Sequence, residues 1–191
     1  MSNLSKESKV SQKGKTYQMV LIGLMAAVTC ILAPLSILLP GGVPLSFTNL
    51  VIYLTVFLLG WKKGTISYLI YMLIGLVGLP VFSNFTGGFA KLAGPTGGYI
   101  IGFIFMAIIG GYFAEKFGRK IYMFIIGMVI GTAITYGFGT AWFIVINPMP
   151  IKAALASCVM PFLLGDAIKM AIVSIVGPII YKALGKAGII L

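Results

Sequence analysis

Residues 121–151 read IYMFIIGMVIGTAITYGFGTAWFIVINPMPI, a stretch with no charged side chain. A helix crossing a membrane needs about 20 consecutive apolar residues, and this stretch supplies them with a Pro-containing exit at its end. The same pattern continues outward in both directions. Residues 16–61, 64–90 and 92–114 carry no charge, and residues 153–181 are interrupted only by Asp166 and Lys169. The first of these stretches is long enough for two helices hinged at Pro40-Gly41-Gly42-Val43-Pro44. The reading is an all-α integral membrane protein with six transmembrane helices, near 17–39, 46–60, 64–80, 96–114, 121–143 and 157–182, of which the second and third look short.

Composition agrees. Of 191 residues, 60% are hydrophobic and 9% charged, with a mean hydropathy of +1.10, well above a soluble domain. The net charge is +11, but there is no concentrated basic patch interleaved with polar residues of the kind nucleic acid requires. Histidine is absent, and Cys30 and Cys158 stand singly in apolar runs. That excludes His-based zinc sites, Cys–His nucleophile pairs and Ser–His–Asp triads, and points away from an enzyme and from any cofactor. A small membrane enzyme working through Asp166 as acid or base would lack a second embedded acid, His or metal cluster. The first apolar run has no small-residue cleavage site and reads as a retained helix.

The positive charge sets the orientation. Lys6, Lys9, Lys13 and Lys15 precede the first span, Lys62 and Lys63 join the second and third, Lys116, Arg119 and Lys120 join the fourth and fifth, and Lys182 and Lys186 follow the sixth. Only Lys91 and Lys152 fall on the other side, with Lys169 inside a span. The positive-inside rule then puts both termini in the cytoplasm and turns segments 40–46, 81–95 and 144–156 outward. Residues 1–16 form a basic tail suited to anionic lipid, and residues 17–191 form the multi-pass membrane domain.

Three constellations carry chemistry. In Pro161-Phe-Leu-Leu-Gly-Asp166-Ala-Ile-Lys169, a carboxylate and an ammonium share one helical face inside a span, where an ionised residue costs about 2.5–3.5 kcal/mol on insertion scales. The pair either fixes helix packing by neutralising itself or faces a cavity and binds a ligand that presents both donors and an acceptor. A proton relay lacks further relay groups. Next, Gly94-Pro95-Thr96-Gly97-Gly98-Tyr99 looks like a helix start whose N–H groups attract an anion, although its glycines also suit close helix contact. Asn84 is the most versatile polar side chain of the preceding outward loop, and Tyr71, Phe82 and Tyr99 flank that loop as walls for a flat apolar ligand. Finally, Gly23 and Ala27 put a small-residue face on the first span, for contact within the protein or with another membrane protein.

Taken together, Val43-Pro-Leu-Ser-Phe-Thr-Asn-Leu50, Gly75-Leu-Val-Gly-Leu-Pro-Val-Phe82, Gly94-Pro-Thr-Gly-Gly-Tyr-Ile-Ile-Gly-Phe103 and Pro161 to Lys169 resemble the BioY family, the biotin-specific S-components of energy-coupling factor (ECF) transporters. The resemblance implies six helices in the cell membrane, capture of biotin from outside, and docking on a membrane T-protein driven by two ABC-type ATPases. Binding of another small vitamin and stand-alone ion-coupled carriage are the alternatives. Three positions depart from the family pattern. Pro44-Leu45-Ser46-Phe47-Thr48 stands for Pro-Ile-Thr-x-Gln, keeping a hydroxyl at Ser46 but losing the amide, Leu164 replaces a Pro, and Gly23 replaces the first Ala of the docking motif. Matched to biotin, Asp166 is expected to accept a ureido N–H, Lys169 to support it and donate to the ureido carbonyl, and Asn84 to complete the polar end. The valerate carboxylate is expected at Gly97, Gly98 and Tyr99, with Tyr71, Phe82 and Tyr99 over the rings; the roles of Lys169 and the tail site are exchangeable, since an ammonium suits either oxygen.

Overall fold

The computed structural model describes residues 2–38 and 43–189, with side chains for residues 15–37 and 43–189. Seven α-helices make up most of it: α1 (Ser2–Leu32), α2 (Thr48–Leu76), α3 (Phe89–Ala93), α4 (Gly97–Lys116), α5 (Ile121–Ile146), α6 (Ile151–Cys158) and α7 (Met160–Lys186). Five helical stretches are long and apolar enough to cross a membrane: residues 15–32, α2, α4, α5, and α6 with α7 together.

α2 is really two helices. Gly60 has φ 78° and ψ −178°, a left-handed backbone that glycine adopts freely and other residues resist. A Cβ on Gly64 would lie 3.1 Å from the Cα of Val56, eight residues earlier. In a continuous helix those residues would be about 12 Å apart, so the chain doubles back. Residues 48–59 and 61–76 therefore run antiparallel as a helical hairpin, at about 1.5 Å of rise per residue too short for full spans. This is the origin of the two short spans expected from sequence, and, the short α3 and α6 aside, it restores six helical segments in alternating directions.

The polar end of the hairpin is capped from outside it. Arg119, in the turn between α4 and α5, donates Nε–H to the Phe57 carbonyl (2.9 Å) and an Nη2–H to the Leu58 carbonyl (3.3 Å). Glu115 accepts the Trp61 N–H at 3.4 Å, and Tyr181 of α7 lies under the Arg119 guanidinium at 4.2 Å. The α2 hairpin tip, the α4–α5 turn and the end of α7 thus meet at one end of the molecule, beside Lys62, Lys63, Lys116, Lys120 and Lys182. The other end holds the remaining connections.

Those connections correct several boundaries. α1 stops at Leu32 rather than near 39, because residues 36–38 leave the helix and pair antiparallel as strand β1 (Ser36–Leu38) with β2 (Pro44–Ser46), Ser36 opposite Ser46. Of the expected hinge, Pro40, Gly41 and Gly42 lie outside the described residues. Segment 144–156, expected to join two spans on the outward side, is largely helical: α5 runs on to Ile146 and α6 fills residues 151–158, so helix begins before the expected start of the last span. α1 begins at Ser2, which makes the basic tail continuous with the first helix.

The core sits where α4 packs against α2 and α5. Phe57, Phe124, Tyr53, Val56, Met106 and Met128 are fully buried there, with Phe57 and Phe124 edge to face at 4.9 Å. Close approach of α4 and α5 needs absent side chains: a Cβ on Gly98 would lie 2.3 Å from Trp142 Cβ, and one on Gly127 2.6 Å from Phe113 Cβ. Thr135 ties the same seam by donating to the Gly102 carbonyl at 3.0 Å.

Candidate ligand-binding site

On α7 the buried residues Phe162, Asp166, Lys169, Val173 and Gly177 fall on one stripe, while Leu164, Ile168 and Ile175 on the opposite side are exposed. The charged pair therefore faces inward, as the helical period requires. Both residues border a cavity of about 690 Å³, counted with its open mouth, at the end of the molecule opposite Arg119.

The pair is embedded in a network. Lys169 Nζ stands 3.1 Å from Asp166 Oδ1, and it also donates to Asn49 Oδ1 (2.9 Å) and to the backbone carbonyl of Ser46 (2.7 Å). An ammonium has three protons, and here three acceptors take them. Asn49 Nδ2 in turn donates to Asp166 Oδ1 at 2.7 Å, and Tyr136 donates its hydroxyl to Asp166 Oδ2 at 2.5 Å. Asp166 and Lys169 are 5% and 7% exposed, so these bonds replace water that burial has removed. The pair is electrically neutral as a whole, and it pins β2 to α7 through the Ser46 carbonyl.

Beyond the polar end the walls are aromatic. Tyr71 meets Phe82 edge to face at 5.7 Å and Tyr68 at 5.6 Å, while Phe103 closes on Tyr68 at 6.1 Å. Tyr68 anchors its hydroxyl on the Ile100 carbonyl at 2.7 Å. Tyr99 lines the cavity with its ring, its hydroxyl spent on the Cys158 carbonyl (3.2 Å) while Thr140 lies 3.1 Å away on the same oxygen. Deeper, Tyr53 is bonded to Thr132, whose own hydroxyl is given to the Met128 carbonyl, so Tyr53 is the donor.

Of the residues singled out from sequence, Ser46, Tyr71, Phe82, Tyr99, Asp166 and Lys169 border the cavity. Asn84 does not. It sits in the turn 83–85 with φ 60°, its amide oxygen accepting from the Ser36 hydroxyl at 2.9 Å, on an adjoining crevice whose walls also include Ser46 and Lys169. Gly97 and Gly98 are also not brought to the cavity. A Cβ on Gly97 would strike the Leu92 carbonyl, and Gly98 lies against Trp142; the Gly97 and Tyr99 N–H groups are bonded to the Gly94 and Thr96 carbonyls. Their surroundings are those of close helix packing, the alternative reading, and Thr96 and Tyr99 are the parts of that helix start that reach the cavity. Gly23 and Ala27 lie on the exposed face of α1, and a Cβ on Gly23 would meet nothing within 4 Å.

Three residues were missed. The amide thought lost from the first connection is present one position on, as Asn49 in the first turn of α2, and an amide opening an otherwise apolar helix was the available signal. Tyr136 is one of the chain's nine tyrosines and lies in a charge-free run, and Tyr68 lies one turn before Tyr71; neither had a mark of its own.

Fold and site together define a six-segment helical membrane protein with a pocket that is polar at one end, aromatic elsewhere and walled by α2, α4, α5 and α7. Comparison with known proteins makes this specific. The BioY family model matches residues 4–186, and the chain belongs to that family. The biotin transporter BioY of Thermotoga maritima is 35% identical over 161 residues, covering 83% of this chain and 92% of that protein. The biotin transporter BioY2 of Lactococcus lactis is 31% identical over 173 residues, covering 91% and 94%. A crystal structure of the S-component for biotin from an ECF-type ABC transporter superposes with a TM-score of 0.82 at 28% identity, covering 88% of this chain and 92% of that one.

Proposed function

We propose that this chain is the biotin-capturing S-component of an ECF-type ABC importer, seated in the cell membrane with both termini in the cytoplasm and its pocket opening outward. The observation that carries the reading is the neutral Asp166–Lys169–Asn49 cluster bordering an aromatic pocket at the end remote from the basic turns. Biotin has a neutral cyclic urea rich in donors and an acceptor, fused to an apolar ring. A charge-balanced polar end accepts such a group without leaving a net buried charge. Asp166 accepts a ureido N–H, and Tyr71, Phe82 and Tyr99 cover the rings. The anionic valerate end lies away from the ion pair, toward the hydroxyls of Ser83 and Thr96.

The exposed small-residue face of α1 at Gly23 and Ala27 is the docking surface for the T-protein, and two ABC-type ATPases supply energy. The described residues contain no cluster able to hold a metal ion. Purification without added vitamin, followed by release and mass spectrometry of what remains bound, tests the ligand: biotin is expected, and a different vitamin would replace it in this reading. Uptake by vesicles holding this chain alone, driven by an ion gradient and indifferent to ATPase partners, would favour the stand-alone carrier.

A further inference from the structure

The acceptor and donor capacity of the polar end is nearly spent, and what is left of it selects how a ligand can enter. All three Lys169 protons are engaged, with Ser46, Asn49 and Asp166. Asp166 Oδ1 already accepts from both Asn49 and Lys169, whereas among the described residues Oδ2 accepts only from Tyr136. Among the described residues nothing donates to the Tyr136 hydroxyl oxygen, and Tyr136 borders the cavity. The open edge of the network is therefore Asp166 Oδ2 beside the Tyr136 O–H, a carboxylate acceptor next to a neutral donor, 2.5 Å apart.

We infer that Tyr136, rather than Lys169, donates to the carbonyl oxygen of the bound ligand's urea while Asp166 Oδ2 accepts the adjoining N–H; this rests on the biotin reading above. In a cyclic urea the N–H and C=O are neighbours on the ring, and they face this edge as a matching donor–acceptor pair. On binding, the Tyr136 O–H turns from Oδ2 to the ligand carbonyl, and the ligand N–H takes the vacated place on Oδ2. One hydrogen bond is exchanged for two, no proton changes owner, and the Lys169 bonds that hold β2 and Asn49 stay in place. Tyr136 is thus a ligand-contacting, specificity-determining residue, and Lys169 a positioning residue for Asp166.

The test compares biotin with 2-thiobiotin, in which a sulfur, a poor acceptor, replaces the urea oxygen. Wild-type protein is expected to prefer biotin, and Tyr136→Phe to weaken biotin roughly ten-fold, the scale of one hydrogen bond in a dry site, while binding the two ligands with nearly equal affinity. Tyr136→Leu serves as the second variant if Phe is not accommodated, and thermal unfolding in detergent checks that each folds. Discrimination against 2-thiobiotin that survives loss of the hydroxyl overturns the assignment, as does biotin affinity unchanged in Tyr136→Phe. A wild type that binds no biotin overturns the biotin reading itself, and is told apart because no variant is then needed to see it.

Discussion

Arg119 donates its Nε–H to the Phe57 carbonyl at 2.9 Å, joining the α4–α5 turn to the end of the first α2 segment, whose last turn has no next residue to bond with. Helix ends buried in apolar surroundings need a partner for such carbonyls. A single side chain thereby caps a break in a membrane helix, and its guanidinium rests on Tyr181 so that α7 is held to the same point.

Arg119→Met is expected to lower stability by about 2 kcal/mol, since two carbonyl bonds to a charged donor are lost at a partly buried site. Arg119→Lys is expected to recover little, because an ammonium lacks the planar fork that reaches both carbonyls and stacks on the ring. Thermal unfolding in detergent distinguishes the two; equal midpoints for wild type and both variants would mean that the cap is inconsequential.

Removing one charge of the buried pair is expected to cost more than removing both. Asp166→Asn alone leaves the Lys169 ammonium without its counter-charge, a situation worth about 3–5 kcal/mol, while Asp166→Asn with Lys169→Met leaves no uncompensated charge. Biotin binding is expected to be lost in both. Unfolding midpoints of the two singles and the double settle the first point, and a double less stable than either single would refute it.

Asn49→Leu is expected to reduce biotin affinity through a residue that need not touch the ligand. Its amide bridges Lys169 to Asp166, and without it the acceptor is no longer aimed at the cavity; about 1–3 kcal/mol is at stake for a buried polar partner left unsatisfied. Calorimetric titration with biotin measures the change.

Bulk placed behind the aromatic wall is expected to act on affinity as well. A Cβ on Gly75 would lie 2.3–2.4 Å from the Phe82 ring, and one on Gly139 2.5 Å from the Tyr99 ring, so each alanine substitution must displace a cavity wall. Overpacking of this kind typically costs about 1–3 kcal/mol. Gly137→Ala, where a Cβ would meet nothing within 4 Å, is the matched control and is expected to behave as wild type in the same binding assay.

Gly23→Leu separates binding from docking. Among the described residues nothing fills the space around Gly23, so fold and biotin affinity are expected to persist. If α1 is the T-protein contact, uptake in cells that contain the partner subunits is expected to fall sharply, because a bulky side chain keeps two helices apart. Undiminished uptake would move the docking surface elsewhere.

The sequence alone determined that the chain lives in a membrane, how many apolar spans it has and which end carries the positive charge. Those follow from hydropathy and charge along the chain, which lipid and water sort without reference to neighbours. It also marked Asp166 and Lys169, since two charges on one face of an apolar helix need a protein interior whatever the packing. The tertiary structure alone decided which groups complete them. Asn49 lies 117 positions from Asp166 and Tyr136 lies 30, and only the packing of α2 and α5 against α7 brings them within hydrogen-bond distance. The same holds for the reversal at Gly60 and its Arg119 cap, 62 positions from Phe57, and for the placement of Asn84, Gly97 and Gly98 outside the cavity. Periodicity says which face of a helix turns inward, but the partner that meets that face is set by helix-to-helix contact, and no local pattern encodes it.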